Sequence, residues 1–257
     1  MRYGFAAGLC ARVVAAGLWV LPAVWDAVAA EPASCAMPQD RFDFEPKFPK
    51  MLAALDKGEA VTIVVIGGGS TAGRAAGAAD RAWPARLASV LAQRFPKARV
   101  AVLNKGVARN TARDMVARFE TDVLAHKPNL VIWETGIVDA VRGTDLDEFR
   151  EDLQTGIDQL KAQVPEMMLM DMQFSRRSNL ISHFSLYLVL MRGAADVNDV
   201  ALFPRHEIMR GWSESRIFDF DVKGQDEMRV LAVRLYDCIG KGVADFVTRR
   251  DPVGALR

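Results

Sequence analysis

Three consecutive glycines, Gly67-Gly68-Gly69, run directly into Ser70-Thr71. A hydroxyl at such a turn can attack a carbonyl carbon if a neighbouring base takes its proton. The same residues can instead cap the helix that follows, and the backbone N–H groups of 67–70 can cradle an anion. Gly67, Gly69 and Ala72 also fit the G-x-G-x-x-A pattern of dinucleotide-binding turns. That use needs an acidic residue at the end of the second strand to hold the ribose, and Leu103-Asn104-Lys105 offers none. The supply of bases is small: His126 in Ala125-His126-Lys127-Pro128, His183 in an apolar stretch, and His206 in Pro204-Arg205-His206-Glu207. No His pairs with another His or Cys at metal-ligand spacing, so neither a metal nor a cofactor is expected. Late in the chain, Phe218-Asp219-Phe220-Asp221-Val222-Lys223-Gly224 gathers two carboxylates and a lysine. Lys223 would serve Ser70 as a base only if desolvated.

These residues need a frame. Val61 to Ile66 is an unbroken β-branched run, the pattern of a strand buried on both faces. Further strands are expected at Arg99 to Leu103, Asn129 to Trp133, Met167 to Met172 and Val200 to Phe203. Helical spacing marks Phe48 to Leu55, Trp83 to Phe95, Thr111 to Leu124, Leu146 to Leu160, Leu180 to Met191 and Asp226 to Val247. Strands alternating with helices predict a parallel sheet of about five strands in a flavodoxin-like three-layer α/β/α sandwich. Ligands bind such sheets beyond the carboxyl ends of the strands. The loops 67–73, 104–110, 134–139, 172–179 and 213–223 are therefore where function is expected. Lys105, Arg109, Arg176 and Arg177 fall at that end and could hold a carboxylate, phosphate or sulfate.

The first thirty residues read as a separate object. Arg2 and Arg12 precede an apolar run from Val13 to Trp25, and Ala27 to Ala30 supplies small residues for cleavage. The run is shorter than the ~20 residues of a membrane span, so a cleaved leader and a periplasmic or secreted product are expected. The expected divisions are 1–30 leader, 31–58 lead-in, 59–250 main domain and 251–257 tail. The leader holds Arg2, Arg12 and Asp26, so its loss takes the formal net charge from +1 to zero. A neutral chain lacks the basic excess a nucleic-acid binder needs. No transmembrane span remains after cleavage. Cys10 leaves with the leader, and Cys35 and Cys238 are then either one bridge or two thiols.

The stretches VTIVVIGGGSTAG, ARVAVLNKGVARNTARDM and KPNLVIWETGIVDA, in that order, resemble the SGNH/GDSL hydrolase family over roughly Val61 to Val247. The resemblance implies ester hydrolysis by a Ser–His–Asp arrangement on a small ester or acyl substrate. Its nucleophile position falls on Gly69, with Ser70 one place later. Gly106 fits the oxyanion glycine. Gly136-Ile137-Val138-Asp139 fits the third block, with Val138 where the family has an asparagine donor. Asp219 fits the acid, with Val222 where the family has histidine; starting instead at Asp221 reaches Gly224. Loss of one oxyanion donor alone typically costs ~10²–10³ in turnover. The expectation is an enzyme-like scaffold with hydrolysis lost or strongly impaired, retaining a small-ligand, anionic-ligand or partner-binding role. The alternatives are a divergent ester or acyl hydrolase using Ser70 with Asp219, and a structural envelope protein. Gly69, Gly106, Asp139 and Arg109 are the expected ligand-facing residues.

Overall fold

The computed structural model describes residues 1, 4, 35, 48–176, 178–181 and 183–250. The expected leader apart from residues 1 and 4, most of the lead-in, the 251–257 tail, Arg177 and Ser182 lie outside the described residues. Everything below concerns the compact unit Ser34–Arg257.

Five strands form one sheet in the order β2-β1-β3-β4-β5. They are β1 (Ala60–Gly67), β2 (Arg99–Gly106), β3 (Leu130–Glu134), β4 (Met167–Met170) and β5 (Ala201–Phe203). Every neighbouring pair is parallel. The helices are α1 (Pro49–Asp56), α2 (Trp83–Arg94), α3 (Ala112–Val116), α4 (Phe119–Asp122), α5 (Ile137–Arg142), α6 (Leu146–Gln163), α7 (Phe184–Val197), α8 (Arg205–Glu214) and α9 (Gln225–Val247). The flavodoxin-like sandwich expected from the alternation is present.

Strand alternation divides the core into two layers. Val61, Ile63 and Val65 of β1 point to one face, with Leu87 and Leu91 of α2 and Ile239 and Val243 of α9. Val64 and Ile66 point to the other, with Met115, Phe119, Leu153 and Met191. Cys35 and Cys238 form a disulfide, which joins the lead-in to α9. Among the described residues no helix is long and apolar enough to cross a membrane.

Three departures from the sequence reading bear on the site. The expected helix 111–124 is broken: Arg118 leaves helical geometry, and its guanidinium bonds the Asn110 side chain at 2.9 Å and the Lys105 carbonyl at 2.8 Å. The helix expected from Leu180 starts at Phe184, so His183 stands exposed before it at φ 61° rather than inside it. Two helices, α5 and α8, were not expected at all. The first spans six residues, too few to show a period. The second is mostly polar, although Ile208, Met209 and Trp212 are buried on one side of it.

Candidate functional site

The carboxyl ends of β1 and β3 meet where the strand order reverses, the place where open parallel sheets bind ligands. Ser70 and Thr71 follow β1, and Glu134 is the last residue of β3. The three side chains join there. The Ser70 hydroxyl donates to Glu134 Oε1 at 2.5 Å, and the Thr71 hydroxyl donates to Glu134 Oε2. Arg205, first residue of α8, completes the group. Its Nη1 donates to Glu134 Oε1 at 2.6 Å and to Ser70 Oγ at 2.8 Å. Arg205 and Thr71 have no exposed surface, Glu134 has 2% and Ser70 has 8%. Two hydroxyls bond the carboxylate, whereas Arg205 Nε and Nη2 are buried with no hydrogen-bond partner among the described residues, so only one side of the ion pair is fully satisfied.

Glycines let the loops close on this cluster. A Cβ on Gly67 would run into the Thr71 side chain and come within 3.0 Å of Glu134 Oε2. A Cβ on Gly106 would collide with the backbone of Thr71 and Ala72. Asn104 then stitches the loops: its Nδ2 donates to the Thr71 carbonyl at 2.6 Å, and its Oδ1 accepts the Gly106 N–H at 2.9 Å. The Gly106 N–H is thus already bonded within the protein. Gly69 differs. A Cβ there meets only Arg74 Cγ at 3.7 Å and Ala108 Cβ at 3.8 Å, so a side chain fits.

The other residues singled out in the sequence lie apart. Asp139 is fully buried and accepts the Ala112 N–H at 3.1 Å, which anchors the start of α3. Burial pushes its carboxyl up to about 6 against that hydrogen bond. Arg109 is exposed at φ 69°, and its carbonyl accepts from Arg142 at 3.0 Å. Val138 is half-buried in α5. Asp219 is exposed and accepts the Asp221 N–H at 2.9 Å, a local turn contact. The structure does not bring Asp219 to Ser70 by any hydrogen bond. Lys223 is exposed. Of the histidines, His126 closes the short turn before β3, at the opposite end of the sheet. The His206 ring sits between Phe174 and Phe184, with centroids at 5.4 and 5.7 Å, and its backbone N–H donates to Asp171 at 2.7 Å. Burial lowers the pKa of the His206 ring. Burial also pushes the Asp171 carboxyl up to about 7, opposed by the His206 N–H, Arg192 and Arg205. Among the described residues no group of three metal-binding side chains occurs.

Glu134 and Arg205 are the functional-end residues that sequence reasoning missed. Both stand immediately after apolar runs, NLVIW and ALFP. A charge at the end of a fully buried strand must find a partner, and that was the available signal.

Beside the cluster lies an open cleft of about 510 Å³ between the loop after β4 and the start of α9. Phe174, Leu235 and Tyr236 form its buried floor. Arg176 and Asp221 pair at 3.1 Å at its edge, and Val222 and Lys223 also line it.

Residues 34–250 match the family described as non-GDSL lipase-like. An acetylxylan esterase of Geobacillus stearothermophilus is 34% identical over 93 residues, 36% of this chain and 42% of that protein. The match therefore spans less than half of that relative's length. A crystal structure of an acetylxylan esterase from the same organism superposes with a TM-score of 0.53 at 23% identity, over 70% of this chain and 94% of that one. An α/β hydrolase from the metagenome of Lake Arreo, Spain, gives 0.55 at 23% identity, over 74% and 97%. These two likenesses show a shared fold.

Proposed function

The chain belongs to the non-GDSL lipase-like family, on an SGNH/GDSL-like hydrolase fold, and from that premise we propose that it is an exported member whose ester hydrolysis is lost or strongly impaired and whose binding role is retained. One observation carries this reading. The Ser70 hydroxyl is held between the Glu134 carboxylate and the Arg205 guanidinium, with 8% of the residue exposed. A hydrolytic serine gives its proton to an imidazole, which later passes it to the leaving group. The partners of Ser70 among the described residues are instead a carboxylate and a guanidinium, and the nearby His206 ring is packed among phenylalanines. The resemblance places Gly69, Val138 and Val222 where nucleophile, oxyanion donor and base belong.

The test is hydrolysis of short-chain acyl esters by the purified mature protein beside Ser70→Ala. No turnover above buffer, and no labelling by a fluorophosphonate, is the expected result. Turnover abolished by Ser70→Ala would establish the divergent hydrolase instead. Rebuilding gives the converse test. Gly69→Ser fits the space at that position, and with Val138→Asn and Val222→His it should give ester turnover above buffer, whereas Gly69→Ser alone should not. Export is read separately: the N-terminus of the secreted product should begin at Ala30 or Glu31.

A further inference from the structure

The cleft beside α9 has the composition of a ligand site. Its volume of about 510 Å³ falls within the roughly 300–1,000 Å³ of small-molecule pockets. Phe220 stands edge-on to Phe174 at 6.0 Å and stacks on Phe218 at 6.1 Å, making one apolar wall. Val222 extends this wall where the family resemblance calls for histidine.

Among the described residues of this lining, the polar side chains of Gln173, Tyr236 and Lys223 make no hydrogen bond or ion pair. Tyr236 is 4% exposed, yet its hydroxyl makes no hydrogen bond with any described residue. Burial pushes this phenol up to about 12, so it remains a neutral O–H donor at physiological pH. Lys223 likewise has no hydrogen bond or ion pair with a described residue, whereas Arg176 is neutralised by Asp221. Among the described residues the charged lining side chains are Arg176, Asp221 and Lys223, which together carry one positive charge in excess.

We propose that this cleft binds a carboxylate-bearing amphipath whose apolar body lies against Phe174 and Phe220, with an inner oxygen accepting from Tyr236 and the carboxylate meeting Lys223. Half-esters of dicarboxylic acids have this chemistry. The inference rests on the reading of the domain as a binding protein, and it assigns the class of ligand held.

Monobenzyl succinate is the probe, titrated calorimetrically into the mature protein. Benzyl butanoate keeps the apolar body and the ester oxygen without the charge, and succinate keeps the charge without the body. Monobenzyl succinate should bind in the millimolar range or tighter, about 10-fold more tightly than either comparison compound. Lys223→Gln, a change at an exposed residue, should remove the preference for the charged ester and leave benzyl butanoate unaffected. Tyr236→Phe, which deletes one oxygen, should weaken both esters by about 2- to 10-fold. Equal affinity for charged and neutral esters, or no effect of Lys223→Gln, overturns the proposal. Benzyl alcohol release is measured in the same samples. Release with the expected affinities overturns the silent-enzyme reading and upholds the ligand class. Neither binding nor release overturns the ligand class and leaves the silent-enzyme reading standing.

Discussion

Glu134 and Arg205 meet at 2.6 Å with 3% and none of their side-chain surface in water, whereas Arg176 and Asp221 meet at 3.1 Å with 49% or more of each exposed. Both pairs sit at the carboxyl end of one sheet, and both join the charge types Arg and carboxylate. The inner pair has surrendered its hydration and is held by two hydroxyls from the loop after β1. The outer pair keeps its water and borders a cleft. Burial makes the inner pair costly to disturb. Exposure makes the outer pair cheap to disturb. Ser70 and Thr71 of the loop after β1 are the hydroxyls that bond the inner carboxylate.

Removing one inner partner should have the largest effect. Glu134→Ala or Arg205→Ala strands a buried charge and should cost about 3–5 kcal/mol in urea unfolding. The paired change Glu134→Gln with Arg205→Met should cost less than either single truncation, because no charge is left uncompensated. A result within error of the parent for either single variant would break the comparison.

A pH effect sharpens it further. Asp171 titrates near 7 in the folded protein against an ordinary 3.8. Between those values the folded chain binds the extra proton, so its contribution to stability declines as pH rises from about 4 to 7 and is flat beyond. Asp171→Asn keeps the acceptor for the His206 N–H and cannot ionise. The stability of this variant relative to the parent should therefore rise over that window, by on the order of a few kcal/mol. A difference independent of pH would contradict the assignment.

Thr71→Val removes one hydroxyl from Glu134 and should cost about 1–3 kcal/mol. The smallest effects belong to the outer edge. Arg176→Ala and Asp219→Asn should each stay within about 0.5 kcal/mol of the parent.

The scaffold was legible because it rests on periodicity. VTIVVI and NLVIW announce buried strands, and the spacing of Trp83, Leu87, Val90 and Leu91 announces α2. The loop positions 67–71 and 134 followed from the alternation of those elements. The identity of the partners did not. Ser70 and Arg205 are separated by 135 positions, and their meeting depends on α8, whose polar surface hid its helical face. Glu134 looked like the end of a strand, and its choice of Ser70 and Thr71 depends on how closely Gly67 lets the turn approach. Local pattern carries strands and helices; the pairing of buried charges is decided by packing among distant segments.

The bond between Cys35 and Cys238 spans 203 positions and makes nearly the whole domain a covalent ring. One protease cut in any loop inside that ring opens it without releasing a fragment. The nicked chain migrates as a single species until a reductant separates its pieces.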